Sequence, residues 1–151
     1  MTVLRAEPDY RNWDAVLRLL QNAFTYMEAA LGHPARVMSL TRADLVAASK
    51  TGAAFVIETN GAPPACLFTR PSRDIANALY LGWLAVDQGQ RGSGLARQLI
   101  DAAAAEARSK GCAQLTLDTG LAFTELHRIF DSFGFLKHHD DADVITFLKP
   151  L

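Results

Sequence analysis

The sequence lacks the features that mark several specialised classes of protein. Its 151 residues include only two cysteines, Cys66 and Cys112, which have no CxxC spacing, so neither a disulfide framework nor a thiolate zinc site is indicated. We expect both thiols to pack in the core. No stretch approaches the roughly 18 apolar residues of a membrane span, and the N-terminus has no signal-peptide run. The sequence therefore predicts a cytoplasmic protein with no membrane partner.

A large net charge of either sign is also missing. Lysine and arginine number 15 and aspartate and glutamate number 16, which gives a formal net charge of −1. Without a basic field to displace counterions from phosphates, we expect no nucleic-acid partner. Half of the residues are hydrophobic and 21% are charged, which excludes a disordered chain. The length fits one domain over residues 1–151, and we expect its partner to be a small molecule or another protein.

Hydrophobic periodicity predicts alternating strands and helices. Apolar residues at helical spacing predict helices over residues 13–31, 41–50, 93–110 and 122–132. Shorter apolar runs predict strands over residues 2–6, 53–58, 65–69, 79–86, 113–118, 135–138 and 144–148, of which 79–86 should be the most buried. This order combines antiparallel hairpins with two crossover helices. We therefore predict an α+β domain around one mixed sheet, and not a doubly wound sheet.

A glycine-rich turn connects the apolar strand over 79–86 directly to the helix over 93–110. Gly92 and Gly94 permit close approach of a ligand to the backbone, and the helix N-terminus adds a partial positive charge that stabilises an anion by about 0.3–1 kcal/mol. A phosphate or pyrophosphate would fit this turn. Glycine also serves ordinary tight turns, so the residues alone leave a purely structural role open.

Two common nucleotide-binding motifs do not match this turn. A P-loop requires GxxxxGK[ST], but Leu95 and Ala96 follow Gly94 here. A dinucleotide fingerprint requires a third Gly or Ala where Arg97 stands, and it would open a βαβ unit, whereas this strand follows a hairpin. Neither motif is supported.

The turn resembles the acetyl-CoA signature of the GNAT family of N-acetyltransferases, whose core motif is [QR]-x-x-G-x-[GA]. The chain reads Arg91-Gly-Ser-Gly94-Leu-Ala96 at this point. Downstream, the segment Leu126-His-Arg-Ile-Phe-Asp-Ser-Phe-Gly134-Phe135 resembles the family's second stretch, AHRLYExxGF. The resemblance covers residues 78–138 well and the remainder by element order alone.

The resemblance implies a fold and an activity. The fold is a central mixed, mostly antiparallel sheet flanked by about four helices. The activity is direct transfer of an acetyl group from the co-substrate acetyl-CoA to a primary amine of a small molecule or peptide. Many members of the family also pair as homodimers through their C-terminal strands. An acyl-CoA-binding sensor or interaction module on the same fold is the alternative, and acyl transfer to an alcohol is a third option.

The resemblance also assigns roles in holding acetyl-CoA to two segments. The backbone over Leu84, Ala85 and Val86 would pair with the pantetheine arm as an added strand pairs with a sheet edge. The pyrophosphate would be held by backbone N–H groups across Gly92, Ser93, Gly94, Leu95, Ala96 and Arg97. Arg91 and Arg97 would add charge at the rim, or else remain solvated surface arginines.

One position departs from the family pattern. The family often has a Tyr four residues before the Gly of its GF pair, as general acid to the departing thiolate, and this chain has Phe130 there. A thiol of cysteine-like pKa, about 8.5, leaves as thiolate at pH 7 at a cost of about 2 kcal/mol, so the reaction tolerates this loss. His127, one turn earlier, is the candidate substitute acid. A role in packing or in contact with the cofactor is the alternative for His127, and Phe130 remains a predicted cofactor contact.

The acceptor amine needs a base or a dry pocket. Only about 1 in 2,500 lysine-like amines of pKa about 10.4 is neutral at pH 7, a penalty of about 4.6 kcal/mol. Glu28 is the leading candidate base, because it leans toward the edge of the core, although an exposed helix carboxylate would look the same. The other candidate bases are Asp87, Asp118 and His33, and two candidate lining residues of the acceptor pocket are Tyr26 and Trp83.

A cluster of imidazole and carboxylate side chains lies near the C-terminus, comprising His138, His139, Asp140, Asp141 and Asp143. These residue types ligate metals. Five polar residues between two strands are more typical of a solvated hairpin loop. We therefore predict a loop here and assign no metal.

Overall fold

The computed structural model describes residues 2–31, 36–120, 123–141 and 143–151, with residues 26–31 and 36 described by their backbone alone. Within these ranges the strands are β1 (Thr2–Arg5), β2 (Ala53–Glu58), β3 (Ala65–Pro71), β4 (Ala78–Val86), β5 (Gln114–Gly120), β6 (Leu136–Asp141) and β7 (Val144–Pro150). The α-helices are α1 (Trp13–Leu31), α2 (Arg42–Thr51), α3 (Leu95–Ser109) and α4 (Thr124–Ser132). The order of strands and helices agrees with the prediction.

Two predicted helix ends are confirmed by their capping bonds. At the start of α2, the Asp44 carboxylate accepts a hydrogen bond from the Thr41 backbone N–H at 2.8 Å, and the Thr41 hydroxyl accepts one from the Asp44 backbone. After α3, Gly111 adopts a φ of +76°, and the Cys112 N–H donates to the Ala107 carbonyl at 2.9 Å. This is the left-handed helix end for which glycine is suited.

Some boundaries differ from the prediction. Helix α3 begins at Leu95, because Gly94 is its N-cap with a φ of +83°. Strand β3 continues to Pro71, which remains paired with Leu79 of β4. Two short 3₁₀ helices were not predicted, since they are too short for a hydrophobic period to show; they are Arg36–Ser39 and Gln88–Gln90.

The sheet is mixed and mostly antiparallel, as predicted. Its strand order is β1-β2-β3-β4-β5-β7-β6. Every neighbouring pair is antiparallel except β4 and β5, which are parallel. A parallel pair requires a crossover connection, which α3 supplies.

The two faces of the sheet carry separate hydrophobic clusters. Face A carries Leu79, Leu115 and Phe147 and packs against α3 and α4. Face B carries Val56 and Phe68 and packs against α1 and α2. The described part of α1 and α2 covers mainly β2, β3 and β4 on face B. The side of face B formed by β5, β7 and β6 therefore carries residues of more polar character.

Strand β4 contains a β-bulge. Cys66 of β3 pairs with Ala85 and Phe68 pairs with Gly82, so two residues of β4 lie opposite one residue of β3. Trp83, in this bulge, has a φ of +47°, a left-handed conformation that is unusual for a bulky residue. A bulge bends its strand and increases the local twist.

Strands β4 and β5 separate just before this bulge. Their register runs from Ala78 opposite Gln114 to Tyr80 opposite Thr116, and the described residues beyond it are not paired with each other. We call the space between residues 81–86 of β4 and residues 117–120 of β5 the β4–β5 gap. It leaves one edge of β4 without a neighbouring strand over most of its length.

The gap overturns one prediction, that the strand over 79–86 is the most buried. Only four of the nine residues of β4 are buried, whereas the first five residues of both β2 and β3 are buried. The apolar composition of β4 predicted a central strand with neighbours along its whole length. The loss of β5 as a neighbour exposes its second half.

The predicted C-terminal hairpin loop is also wrong in its position. Residues His138 to Asp141 belong to β6, and all six residues of this strand are exposed. Strand β6 is the edge of the sheet and pairs only with β7. Charged side chains on an edge strand oppose edge-to-edge aggregation, which explains why so polar a sequence forms a strand. None of the described helices is both long and apolar enough to cross a bilayer.

The contact between Gly52 and β3 predicts a large effect of one small substitution. A Cβ atom at Gly52 would lie 1.8 Å from the carbonyl oxygen of Thr69, so Gly52→Ala forces α2 and β3 apart. We expect the free energy of unfolding in urea to fall by about 1–3 kcal/mol. The control is Gly61→Ala, where nothing lies within 4 Å, with an expected change below about 0.5 kcal/mol. Equal effects of the two substitutions would contradict this contact.

Candidate functional site

The glycine-rich turn lies at the open end of the β4–β5 gap. Gly92 and Gly94 have φ values of +84° and +83°, which only glycine adopts readily, and no atom lies within 4 Å of a Cβ built at either position. Gly94 caps α3 without a side chain. The Ser93 hydroxyl donates to the Gln90 carbonyl, which holds the turn in shape. The turn therefore presents open space above the positive end of a helix.

This geometry fits an anionic group. The first N–H groups of a helix have no partners within the helix, and the helix dipole favours negative charge there. No side chain fills the space over the two glycines. The open space over Gly92 and Gly94 at the start of α3 therefore fits a pyrophosphate.

Two arginines flank the turn. Both Arg91 and Arg97 are exposed. The Arg97 guanidinium lies 4.8 Å from the centroid of the Phe133 ring, which follows the last residue of α4. This contact joins the first turn of α3 to the end of α4 and orients Arg97 beside the turn.

The structure brings together the two segments to which the resemblance assigned acetyl-CoA. Leu84 and Val86 are half-buried beside the cluster on face A, and Ala85 is buried on face B. In the second segment, Leu95 is buried and Ala96 is half-buried at the start of α3. The edge of β4 thus leads to the glycine-rich turn. Contacts of these residues with acetyl-CoA remain predictions.

His127 connects α4 to the end of β5. Its Nε2 atom lies 2.9 Å from the Gly120 carbonyl oxygen, so Nε2 carries a proton and donates it to the backbone. Its ring centroid lies 5.7 Å from that of Phe147. These contacts favour the packing alternative for His127, and its role as general acid remains a prediction.

Phe130 lies in the core on face A. Its ring contacts Phe135 and Phe147, with centroids 6.0 and 6.2 Å apart, and its side chain is buried. The aromatic position is thus satisfied by packing without a hydroxyl. Contact of Phe130 with acetyl-CoA remains a prediction.

The predicted acceptor residues are only partly covered by the structure. The side chains of Glu28 and Tyr26, and all of His33, lie outside the described residues. Asp87 is exposed at the end of β4, where its N–H donates to the Pro64 carbonyl at 2.7 Å. Trp83 is half-buried and packs edge-on against Phe68 beside the cluster on face B.

Asp118 belongs to a row of polar side chains that local sequence patterns do not reveal. Its Oδ1 atom accepts a hydrogen bond from the Thr146 hydroxyl at 2.7 Å. Tyr80 lies beside it on β4, and burial, followed by the charge of Asp118, raises the pKa of the Tyr80 phenol. On the other side of Tyr80, the Arg70 guanidinium lies 4.1 Å from the ring centroid. The sequence feature that could have indicated this row is Tyr80, which stands between two leucines and is followed by Gly82.

The described residues offer no metal centre, and the buried Cys66 thiol is not reactive. They contain no group of three or more histidine, cysteine, aspartate or glutamate side chains placed to hold a metal ion. Burial raises the pKa of the Cys66 thiol to about 12, so this thiol is neutral at pH 7 and is a poor nucleophile.

Comparison with known proteins gives a related sequence from yeast. N-alpha-acetyltransferase 30 of Saccharomyces cerevisiae is 26% identical over an alignment of 102 residues that covers 62% of this chain and 58% of the yeast protein. The match therefore spans less than two thirds of the yeast protein's length.

Solved structures share the fold at low sequence identity. The PaiA N-acetyltransferase of Thermoplasma acidophilum, solved in complex with coenzyme A, superimposes over 100% of both chains with a TM-score of 0.83 and 12% identity. The ribosomal-protein-S18-alanine N-acetyltransferase of Escherichia coli matches 99% of this chain and 92% of its own, with a TM-score of 0.72 and 18% identity. These similarities support the fold.

The family itself is identified from the sequence. The model of the acetyltransferase (GNAT) family matches residues 13–135, which include the β4–β5 gap, the glycine-rich turn and α4. With most of its length matched and with the fold in agreement, the chain belongs to the acetyltransferase (GNAT) family.

Proposed function

We propose that this protein is an acetyl-CoA-dependent N-acetyltransferase that moves an acetyl group directly to a primary amine of a peptide or small molecule. The observation that carries the proposal is the open turn at Gly92 and Gly94. It stands at the start of α3, where no side chain caps the helix, and at the end of an unpaired strand edge. Membership of the acetyltransferase (GNAT) family supports the same activity.

Different segments of the chain would bind different parts of acetyl-CoA. Backbone N–H groups from Gly92 to Arg97 bind the pyrophosphate, and Arg91 and Arg97 add positive charge at its rim. The free edge of β4 at Leu84 and Val86 pairs with the pantetheine arm as a strand would. Backbone N–H groups of this edge stabilise the negative charge that develops on the carbonyl oxygen during transfer. Acetyl-CoA itself supplies the activated thioester.

Release of the thiol needs little help from the protein. At a pKa of about 8.5, a thiol leaves as thiolate at pH 7 at a cost of about 2 kcal/mol. A general acid at the position of Phe130 would therefore contribute modestly. The buried Phe130 ring is compatible with turnover, because packing and not chemistry determines that position.

The acceptor that fits best is the α-amine at the end of a peptide. An α-amine has a pKa of about 7.7–8.0, against about 10.4 for a lysine side chain, so the neutral, reactive fraction at pH 7 is roughly 300-fold larger. The yeast and E. coli relatives are named for acetylation of α-amines and of a ribosomal-protein alanine. The described part of the site has no strongly basic group to deprotonate an ammonium ion. It therefore suits the α-amine, which needs the least deprotonation.

A sensor that binds acyl-CoA without transferring the acyl group is the second candidate. Phe130 favours it, since the hydroxyl that many family members place at this position is missing. The two candidates make the same prediction for cofactor binding and differ in the release of thiol when an amine is added.

The first prediction concerns cofactor binding. Gly94→Glu introduces a carboxylate where the phosphates approach, and we expect acetyl-CoA binding in calorimetric titration to be lost. The matched control is Gly111→Glu, at the other end of α3, where φ is +76° and the space is equally open. It carries the same left-handed strain, about 1–2 kcal/mol, but it should leave acetyl-CoA affinity within about twofold.

Unchanged acetyl-CoA affinity in Gly94→Glu would contradict the assignment of the turn. Coenzyme A should bind the unmodified protein and NAD should not. Binding of NAD with an affinity equal to that of acetyl-CoA would also contradict it.

The second prediction separates the roles of His127. His127→Ala removes the hydrogen bond to Gly120 and should lower the melting temperature, since a net contribution of about 1 kcal/mol is lost. If His127 is the general acid, kcat falls by about 100-fold while acetyl-CoA affinity stays the same. Equal kcat in the variant and the unmodified protein would remove His127 from the mechanism and leave it the role of joining α4 to β5.

The third prediction concerns the acceptor. Thiol release from acetyl-CoA should be at least about tenfold faster with a pool of random hexapeptides that have free α-amines than with a pool of N-acetylated hexapeptides that each contain one lysine. Tyramine and spermidine serve as small-amine probes. Faster reaction with the lysine pool would contradict α-amine transfer, and binding of acetyl-CoA without release in any pool would favour the sensor.

A further inference from the structure

The polar row on face B crosses the β4–β5 gap. It consists of Arg70 on β3, Tyr80 on β4, Asp118 on β5 and Thr146 on β7. Arg70 pairs in register with Tyr80, and Asp118 pairs in register with Thr146. Directly paired residues of neighbouring strands point to the same face, so the four side chains form one line across four strands.

Tyr80 is placed at the point where the two parallel strands separate. It is the last residue of β4 in register with β5, opposite Thr116. Its ring extends along β4 over Gly82, where a methyl group would lie 3.3 Å from the ring. Asp118 stands two residues beyond Thr116, just as Gly82 stands two residues beyond Tyr80. The ring therefore reaches the level of Asp118 at the closed end of the gap, where β4 and β5 begin to separate.

Asp118 is an exposed carboxylate that is already oriented. The Thr146 hydroxyl fixes its Oδ1 atom at 2.7 Å, and a carboxylate has further lone pairs for a ligand. The Tyr80 phenol, whose pKa is raised by burial and by Asp118, is protonated at neutral pH and is available as a hydrogen-bond donor. The pair offers an acceptor and a donor side by side.

We propose that Asp118 takes the proton of the attacking amine, and that Tyr80 positions Asp118 and the amine on face B at the closed end of the β4–β5 gap. This inference rests on the proposed acetyl transfer. The amine nitrogen forms a bond to the thioester carbonyl carbon, the C–S bond breaks with its electron pair on sulfur, and one N–H proton moves to Asp118. The products are an amide, a thiolate and a protonated carboxyl group, which returns its proton to water.

A carboxylate is a sufficient base for this step. The neutral amine is a weak acid, but its nitrogen becomes cationic and strongly acidic as the new bond forms, so even a weak base accepts the proton. Before that, the negative charge of Asp118 attracts an ammonium group to the gap. Among the described residues of the sheet, the charged or titratable groups on face B around Asp118 are Tyr80 on the adjacent strand β4, Arg70 one strand further on β3, and His139 on β6, which is paired with Thr146.

Asp87, a second described carboxylate near the gap, follows the far end of β4 and suits the role less well. It precedes the turn that would hold the phosphates, where its negative charge would oppose a bound pyrophosphate. Asp118 lies on β5, across the gap from β4, which leads into the glycine-rich turn. Its side chain projects on face B, whereas α3 packs on face A. The two co-substrates would thus approach from opposite faces of the sheet.

The test is Asp118→Asn, assayed by thiol release with acetyl-CoA and the free α-amine hexapeptide pool, and with tyramine and spermidine. Asparagine keeps the size of the side chain and an oxygen for Thr146, but it is not a base. We expect kcat/KM for the amine to fall at least about 100-fold, with acetyl-CoA affinity within about twofold. The matched control is Asp140→Asn, an exposed aspartate of β6 paired with Lys137, which should stay within about twofold.

Two milder variants test the positioning role and remain informative if Asp118→Asn unfolds. Tyr80→Phe should lower kcat about tenfold, and Thr146→Val about fivefold, each without a change in the KM for acetyl-CoA. A purely structural role would move melting temperature and both KM values together.

The outcomes separate this inference from the proposed function. An active unmodified protein whose Asp118→Asn variant keeps more than a third of its kcat/KM would overturn the role of Asp118 and leave the acetyltransferase activity standing. If Asp118→Asn is unfolded, unchanged kcat in both Tyr80→Phe and Thr146→Val would overturn the inference. An unmodified protein that binds acetyl-CoA but acetylates none of the amines would overturn both.

Discussion

The end of the parallel pairing between β4 and β5 at Tyr80 and Thr116 is the constraint on which the rest of the structure depends. A continuous parallel pair would have used the inner edge of β4 for hydrogen bonds within the sheet. Because the pairing stops, that edge is free, the glycine-rich turn stands at its end, and face B opens beside Asp118. The cradle for an anion and the polar row thus follow from one local interruption of an otherwise regular sheet.

The interruption is maintained by packing around the bulge. Trp83 holds a left-handed backbone conformation, which costs on the order of 1–3 kcal/mol for a residue other than glycine. Its ring packs edge-on against Phe68, with the two ring centroids 5.1 Å apart. The Phe68 ring in turn contacts Trp13, with centroids 6.1 Å apart, and the Trp13 side chain is fully buried. The hydrophobic cluster on face B therefore offsets the strain, and the stability of α1 is linked to the shape of the gap.

The regular parts of the fold could be predicted from the sequence because they depend on local patterns. The capping box at Thr41, the helix end at Gly111 and the alternation of β2 and β3 are each encoded within a few residues. The bulge is not, since nothing in the apolar run of β4 distinguishes a strand paired on both sides from one that loses a neighbour. The overestimated burial of β4 and the misplaced loop at His138 to Asp141 both arise from tertiary pairing that a local pattern does not contain.

The same distinction applies to the site. The glycine-rich turn is contiguous in sequence, so a local motif predicts it as a cofactor site together with Leu84, Val86 and Arg97. The row of Arg70, Tyr80, Asp118 and Thr146 comes from four separate strands, so local patterns single out only Asp118.

The position of Trp83 has a practical consequence. The chain has two tryptophans, and Trp13 is insulated in the core while Trp83 is half-buried at the bulge beside the gap. In intrinsic fluorescence, Trp13 therefore serves as a constant internal reference, and Trp83 serves as a native reporter of molecules that enter the β4–β5 gap. No external label is needed to follow their binding.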